Sequence, residues 1–227
     1  MGTIGDYTVE RELTTRPGVT IYEATHRILP RRARIAVAHD RAGAERILRE
    51  AYILEAIRHA GIPRVFDCGT LATGPWIATE LVSGERLPTT FTPTELAVVL
   101  RDIAAILVHV HRRGVIHDAL WLDAFVRDPD RGVPLCLDYW SEAKCGPGST
   151  DIRGLGLAMY AVMAFHAPTA LTRLIDDMLA PEPAARPTAI EVYEEASRIA
   201  ALPATLHQPT SELPPIEDVQ LLVDLSA

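Results

Sequence analysis

Three aspartates in the second half of the chain, Asp118, Asp123 and Asp138, are the residues whose type best suits them to chemistry. Carboxylates bind hard divalent cations such as magnesium, and a carboxylate beside a hydroxyl group can act as a general base. Transfer of a phosphoryl or nucleotidyl group from a nucleotide would use such groups. It would also need cations and close backbone around the phosphates, so the rest of the chain decides whether these aspartates form a site.

Lysine and asparagine, two residue types that commonly take part in such a reaction, are almost or entirely absent from the chain. Lys144 is the one lysine in the 227 residues, and asparagine does not occur. A reaction that depends on an asparagine ligand, or on a lysine anywhere else, is therefore excluded. The preference of a GC-rich genome for arginine and alanine codons accounts for the same absences, so they do not by themselves indicate a function.

The bulk composition indicates a globular protein without a nucleic-acid surface. Hydrophobic residues make up 48% of the chain, enough for a substantial core, and the formal net charge is −8. A broad basic face for nucleic acid or anionic lipid is not expected. Cys68, Cys136 and Cys145 show neither disulfide nor zinc spacing. With no leader-like pattern at residues 1–7 and an apolar stretch of only Leu155–Phe165, the chain is predicted to be cytoplasmic, without a membrane span.

The hydrophobic pattern of the first third predicts strands and one helix. Alternation and β-forming residues indicate strands near 7–13, 20–25 and 34–38, and helical spacing indicates a helix over 42–59. A further hairpin is expected over 63–82 because glycine and threonine separate two apolar runs.

The remainder of the chain is mainly helical in pattern. Thr92 and Glu95 can form a capping box around Pro93, which predicts a helix start. Further helices are expected over 151–165, 168–179 and 188–201. A small β-rich part followed by a helical part predicts an α+β fold with two lobes.

Six short motifs, in the same order, resemble those of bacterial Ser/Thr protein kinases. They lie at residues 49–62, 76–81, 114–120, 135–140, 151–156 and 179–188. Gly114–Leu120 is similar to the G-V-x-H-R-D-L entry of the catalytic loop, and Leu135–Trp140 is similar to the strand that ends in D-F-G. The resemblance implies a two-lobed protein kinase-like fold over roughly residues 7–200.

The same resemblance implies the domain organisation. Residues 1–82 would be a small β-rich N-lobe, residues 83–201 a reduced helical C-lobe, and residues 202–227 a flexible tail. The C-lobe has a shortened activation segment and no clear helix G, which are the parts that hold the protein substrate in this family. Substrate docking is therefore expected to be compromised.

The positions that carry the kinase reaction are degenerate. The strand lysine of the family is replaced by Ala38, the catalytic aspartate by Ala119 and the metal-binding asparagine by Ala124. The three glycine positions of the phosphate-binding loop are occupied by Thr14, Arg16 and Val19. Asp118 precedes the catalytic position by one residue, so a surface or capping role is favoured for it, and Lys144 is interpreted as a solvated loop residue.

The positions that shape the kinase framework are retained. The resemblance places a vestigial nucleotide pocket at Ile21, Ala36, Glu50, Thr79, Phe125 and Asp138, with Thr79 as gatekeeper. Glu50 lacks its lysine partner, so an arginine or water would have to replace it. Asp138 is the one metal ligand retained, and a single carboxylate is a weak magnesium site. The fold-defining residues are expected to be Leu54, His117, Tyr139, Asp151 and Arg186.

These features favour a pseudokinase that works by binding a protein, as a scaffold or regulator. No cofactor or metal is expected, and the partner would be an active kinase, a regulated enzyme or a forkhead-associated domain. Thr210, with Leu213 three residues later, has a spacing that such domains accept after phosphorylation. Two alternatives stay open, a nucleotide-binding switch that uses ATP, and a kinase-fold enzyme with altered chemistry through the aspartates at 118, 123 and 138.

Overall fold

A computed structural model describes residues 2–128, 132–163 and 169–200, with the backbone alone described for Thr169. The fold is α+β, as predicted, because strands fill the first third and helices dominate the remainder. The described residues form two compact units, one of residues 2–58 and 63–82, the other of residues 59–62 and 83–200. The predicted tail at 202–227, including Thr210, lies outside the described residues.

The first unit contains one antiparallel sheet with strand order β1-β2-β3-β4-β6-β5. Its strands are β1 Thr3–Ile4, β2 Tyr7–Arg16, β3 Val19–His26, β4 Arg32–Ala38, β5 Val65–Leu71 and β6 Gly74–Glu80. The pairing of β2 with β3 is irregular at two places, between Val9 and Arg11 and between Glu12 and Thr14. Such bulges bend and twist a strand, so they account for curvature at this side of the sheet.

The two faces of this sheet bury different sets of residues. Along β4, Ile35 and Val37 belong to one apolar cluster with Tyr7 and Trp76, and Ala36 and Ala38 belong to another. This alternation follows from the two-residue period of a strand. The second cluster packs against the single helix of the unit, α1 Arg41–Ala56. The helix therefore covers the face on which the expected lysine position lies.

The second unit is built from four helices, α2 Pro93–His111, α3 Ser149–Val162, α4 Thr169–Met178 and α5 Ala189–Ile199. Short strands and 3₁₀ turns connect them. The strands are β7 Glu85–Arg86, β8 Val115–Ile116, β9 Phe125–Arg127, β10 Cys136–Leu137 and β11 Lys144–Cys145, and the turns are Leu122–Ala124, Trp140–Glu142 and Pro183–Ala185. Among the residues that the structure describes, no helix is both long enough and apolar enough to cross a membrane.

Helix starts agree with the local sequence signals. The capping box predicted at Thr92 and Glu95 is present, and it opens α2. A second capping box, between Thr188 and Glu191, opens α5. Each box satisfies backbone N–H groups that a helix start leaves without partners. α3 begins at Ser149, slightly before the expected start at Asp151, and its described part ends at Val162.

Candidate functional site

Ala38 lies at the end of β4, and it is fully buried. It belongs to an apolar cluster with Val19, Ile21, Ala36, Ile47 and Ile77. Burying an ammonium group among such side chains is costly unless an anion and further hydrogen bonds compensate for it. The place where the resemblance puts a lysine is therefore packed like a hydrophobic core.

Glu50, on the buried side of α1, forms an ion pair with an arginine in place of the expected lysine. Arg34 Nη1 donates to Glu50 Oε1 at 2.9 Å, and the two side chains are 14% and 4% exposed. The sequence left arginine or water as the substitute for lysine, and the structure selects Arg34. Arg34 precedes Ala38 by four residues on β4, so both lie on the sheet face that α1 covers. The ion pair joins α1 to the sheet without a lysine.

The turn between β2 and β3 is held against the beginning of α1. Gly18, at φ 75°, occupies the left-handed conformation that favours glycine. Its carbonyl oxygen accepts from the backbone N–H of His39 at 2.9 Å. A Cβ atom at Gly43 would lie 2.0 Å from that same oxygen, so the helix backbone is in close contact with the turn. The turn is therefore packed against the beginning of α1, which does not suit a loop that must wrap around phosphate groups.

The expected pocket residues of the first unit are buried as well. Ile21 is 5% and Ala36 is 1% exposed, and both pack in the cluster beneath α1. Thr79 is 2% exposed, and its hydroxyl group donates to the Arg34 carbonyl oxygen at 3.4 Å. Leu54 is buried on α1. These side chains are used for packing within the unit.

In the second unit, Asp151 is the centre of a hydrogen-bond network. Its side chain is fully buried in the first turn of α3. Oδ2 accepts from the His117 backbone N–H at 2.9 Å and from His111 Nε2 at 2.9 Å, and Oδ1 accepts from the Asp118 N–H at 2.9 Å. Asp118 has φ 59°, which is unfavourable for a residue with a side chain. The charge-assisted bonds to Asp151 offset that strain and fix the loop onto α3.

His117 ties this loop to the segment around Asp138. Its ring is completely buried, and Nε2 donates to the Asp138 carbonyl oxygen at 2.7 Å. The Trp140 ring contacts it edge-on at 4.6 Å, and Trp140 Nε1 donates to the Leu137 carbonyl oxygen at 2.7 Å. Nδ1 of His117 has no hydrogen-bond partner in the described structure. Burial lowers the pKa of His117, against the opposing pull of Asp151, so the neutral imidazole is favoured.

Lys144 is exposed, as the sequence interpretation expected, but it belongs to a short strand and contacts an aspartate. It lies in β11, which pairs with β8 so that Lys144 faces Ile116. Its Nζ atom is 2.5 Å from Asp118 Oδ2. The pairing of the two strands brings the single lysine to the aspartate, and this long-range contact was not visible in the sequence. Beside them, Ala119 is 5% exposed and offers no general base.

Arg86 connects the segments that carry the remaining aspartates, Asp123 and Asp138. Asp138 Oδ1 accepts from the Tyr139 backbone N–H at 2.8 Å. Arg86 Nη2 donates to the Tyr139 hydroxyl group at 2.9 Å, and Arg86 Nη1 donates to the Asp123 carbonyl oxygen. Among the described residues, no three His, Cys, Asp or Glu side chains are grouped so that they could hold a metal ion. Arg86 therefore organises this region through hydrogen bonds.

Two further site residues serve the framework of the second unit. Phe125 is 1% exposed and faces Leu137 across the β9–β10 pair, and the Asp138 backbone N–H donates to the Ala124 carbonyl oxygen at 2.8 Å. Arg186 donates from its three guanidinium nitrogens to three carbonyl oxygens. These oxygens belong to Ala180 at 2.8 Å, Ser149 at 3.0 Å and Pro181 at 2.9 Å.

A cleft of about 290 Å³ lies beside the Asp151 network in the second unit. Its lining residues are Asp118, Ala119, Leu120, Trp121, Thr150, Asp151, Arg153, Gly154 and Arg186. Sequence reasoning placed some of these residues in motifs and did not foresee a cleft. The segments that form its walls are distant in sequence, so no local pattern could have indicated it.

Comparison with known proteins supports a kinase-like relation for part of the chain. No protein-family model matches the sequence. A serine/threonine-protein kinase of Myxococcus xanthus, pkn2, is 34% identical over 85 residues, which cover 35% of this chain and 10% of the kinase. The match thus spans about a tenth of the length of that relative. The kinase's own activity and substrates are not carried over by so short a match.

Proposed function

We propose that this chain is a catalytically inactive kinase-like protein, a pseudokinase, that acts by binding another protein as a scaffold or regulator. The observation that carries the proposal is the packing around Ala38. The position is fully buried among apolar side chains, and Glu50 is already paired with Arg34. Phosphoryl transfer depends on cations held against the phosphates, and the cation on this face of the sheet, Arg34, is already paired with Glu50.

The second unit gives independent support. Ala119 stands where the resemblance puts the catalytic aspartate, and the carboxylate of the preceding Asp118 is engaged by Lys144. This ion pair occupies Asp118 Oδ2, whereas a general base needs a free oxygen within reach of the proton that it accepts. The Asp151 and His117 networks, in contrast, hold the loop in one conformation. We infer that the chain keeps the framework of the fold and lacks the groups that would carry the reaction.

The proposed partner is a protein, and three kinds fit the sequence. An active kinase or a regulated enzyme would bind a folded surface. A forkhead-associated domain would instead bind the phosphorylated segment around Thr210, which lies outside the described residues. Binding through that segment predicts that Thr210→Ala abolishes complex formation, whereas binding through a folded surface predicts no effect.

Nucleotide titration of the purified chain tests the loss of chemistry. A ligand that binds the native state at 100 times its Kd stabilises it by about 2.7 kcal/mol, which raises the Tm by several degrees. We expect no shift in Tm with millimolar ATP and magnesium or manganese, and no transfer of labelled γ-phosphate to a protein acceptor.

Two outcomes would contradict the proposal. A metal-dependent shift that disappears in Asp138→Ala would indicate an enzyme or a nucleotide sensor that uses this carboxylate. A shift with ATP alone would indicate a nucleotide-binding switch. Asp177→Ala, which removes an exposed carboxylate from α4, is the matched control for the Asp138 variant.

A further inference from the structure

The cleft in the second unit has two walls with different chemistry. One wall is the segment 118–121, and the other is the first part of α3, from Thr150 to Gly154. Gly154 keeps the two walls apart from side-chain contact at this point. A Cβ atom at this position would lie only 3.3 Å from Leu120 Cβ and would fill part of the cleft. Trp121 stands at the cleft with 45% of its surface exposed. The cleft thus offers an accessible aromatic surface.

One charged group of the cleft has neither an ion-pair nor a hydrogen-bond partner among the described residues. Asp151 accepts three hydrogen bonds, Asp118 is paired with Lys144, and Arg186 donates to three carbonyl oxygens. Arg153 is exposed, and it has no ion-pair or hydrogen-bond partner within the part of the chain that the structure describes. A ligand that fits the cleft would therefore present an anionic group to Arg153.

The surface of α3 extends the cleft with apolar side chains. Leu157 and Tyr160 are 46% and 57% exposed, and they follow Arg153 at spacings of four and three residues. Such spacings place side chains in one line along a helix. Starting from Trp121, the line runs from an aromatic surface to a cation and then to two exposed apolar side chains. Soluble proteins usually cover large apolar side chains grouped in this way.

The chain itself contains a segment of complementary composition, at residues 216–225. Its sequence, IEDVQLLVDL, begins with two adjacent carboxylates, Glu217 and Asp218, and continues with the apolar pair Leu221 and Leu222. Fifteen residues, 201–215, connect it to the end of the described structure. Extended, they span about 50 Å. A unit of this size has a radius of gyration of about 14 Å, so the connection is long enough to reach α3.

We propose that residues 216–225 bind back onto the second unit, with Ile216 at Trp121, the acidic pair at Arg153 and the leucines over Leu157 and Tyr160. The order of charge and apolarity along the segment matches the order along α3. The inference does not depend on the loss of phosphoryl transfer, so its failure would leave the proposed function intact.

Trp121 provides a direct measurement in the full chain. Trp76 and Trp140 are 5% and 1% exposed, so a collisional quencher such as acrylamide reaches chiefly Trp121. We expect the double variant Leu221→Ser/Leu222→Ser to raise the quenching constant about twofold, because the indole surface becomes uncovered. Leu206→Ser, in the connecting residues, is the matched control and should leave quenching unchanged. Trp121→Phe should remove the quenchable component from all the proteins.

Charge reversal tests the pairing. Arg153→Glu should raise quenching as the leucine variant does, and adding Glu217→Arg/Asp218→Arg to it should restore protection. Equal quenching in the native chain and the leucine variant would overturn the proposal. Failure of the reversed pair to restore protection would overturn the assigned contact. Protection that rises with protein concentration would show that the segment comes from a second copy, and would overturn binding within one chain.

Discussion

At the scale of the residue, size and burial determine what Ala38 allows. Its methyl group fills a place between β4 and α1, and its neighbours are aliphatic. A longer side chain has to displace them, and an ammonium group has to give up its hydration as well. Placing a lysine at this position alone should therefore not create a nucleotide site, because its aliphatic neighbours would remain.

Ala38→Lys is expected to destabilise the protein without creating nucleotide binding. Overpacking alone costs about 1–3 kcal/mol, and the buried charge adds to this cost. Ala38→Met, which has similar length and no charge, separates the two contributions. Chemical denaturation measures both variants. A stable Ala38→Lys protein whose Tm rises with magnesium and ATP would show that the site had only lost one residue.

At the scale of the element, two buried carboxylates attach helices to their surroundings. Glu50 attaches α1 to β4 through Arg34, and Asp151 attaches the first turn of α3 to the loop at His117 and Asp118. Each carboxylate is almost completely buried, so each depends on its partners. Removing a partner should cost more than removing the pair, because a buried charge without compensation remains.

The Arg34–Glu50 pair gives a prediction of this kind. Arg34→Met should lower the free energy of unfolding by about 3–5 kcal/mol, since Glu50 keeps its buried carboxylate. Adding Glu50→Leu should recover most of the loss, because two apolar side chains suit the surrounding cluster. Urea denaturation of the two single variants and the double variant gives the coupling energy. Additive losses would show that the pair does not connect α1 to the sheet.

Asp151→Asn should also be destabilising. An amide has one oxygen to accept hydrogen bonds, whereas three donors converge on the Asp151 carboxylate. The loss of a charge-assisted bond costs about 1.5–3 kcal/mol. Asp177→Asn, on the exposed side of α4, should have almost no effect. Faster hydrogen exchange at the backbone amides of His117 and Asp118 would locate the change, and unchanged exchange there would contradict it.

Elements that depend on neighbouring residues could be predicted from the sequence. The capping box at Thr92 and the apolar spacing of α1 are local signals, and both predicted helices are present. Contacts between residues that are distant in the sequence were harder to predict. The alternation of β4 places Arg34 on the face of Ala36 and Ala38, so its pairing with Glu50 could have been anticipated. The exposure of Lys144 was anticipated, but its contact with Asp118 was not, because that contact depends on β8–β11 pairing.

At the scale of the whole molecule, titration of buried groups makes stability depend on pH. Burial lowers the pKa of His117 below its unfolded value of about 6.5. As pH falls through that value, the unfolded chain takes up a proton that the native protein resists, so stability declines. The pKa of Glu23 is lowered by its hydrogen bond to Arg32, and its contribution is lost only at lower pH, near and below its ordinary value of 4.5. The change in the free energy of unfolding between pH 7.5 and 5.5 should therefore come mainly from His117.

Comparison with His117→Gln isolates this effect. Glutamine keeps an N–H group that can donate to the Asp138 carbonyl oxygen, and it does not titrate. Asp102, whose pKa is raised by burial, acts in the opposite direction, but it is present in both proteins and cancels in the difference. Between pH 6.5 and 5.5 the native protein should lose up to about 1 kcal/mol more stability than the variant. Parallel pH profiles from urea denaturation would mean that His117 is protonated as easily in the native state as in the unfolded chain.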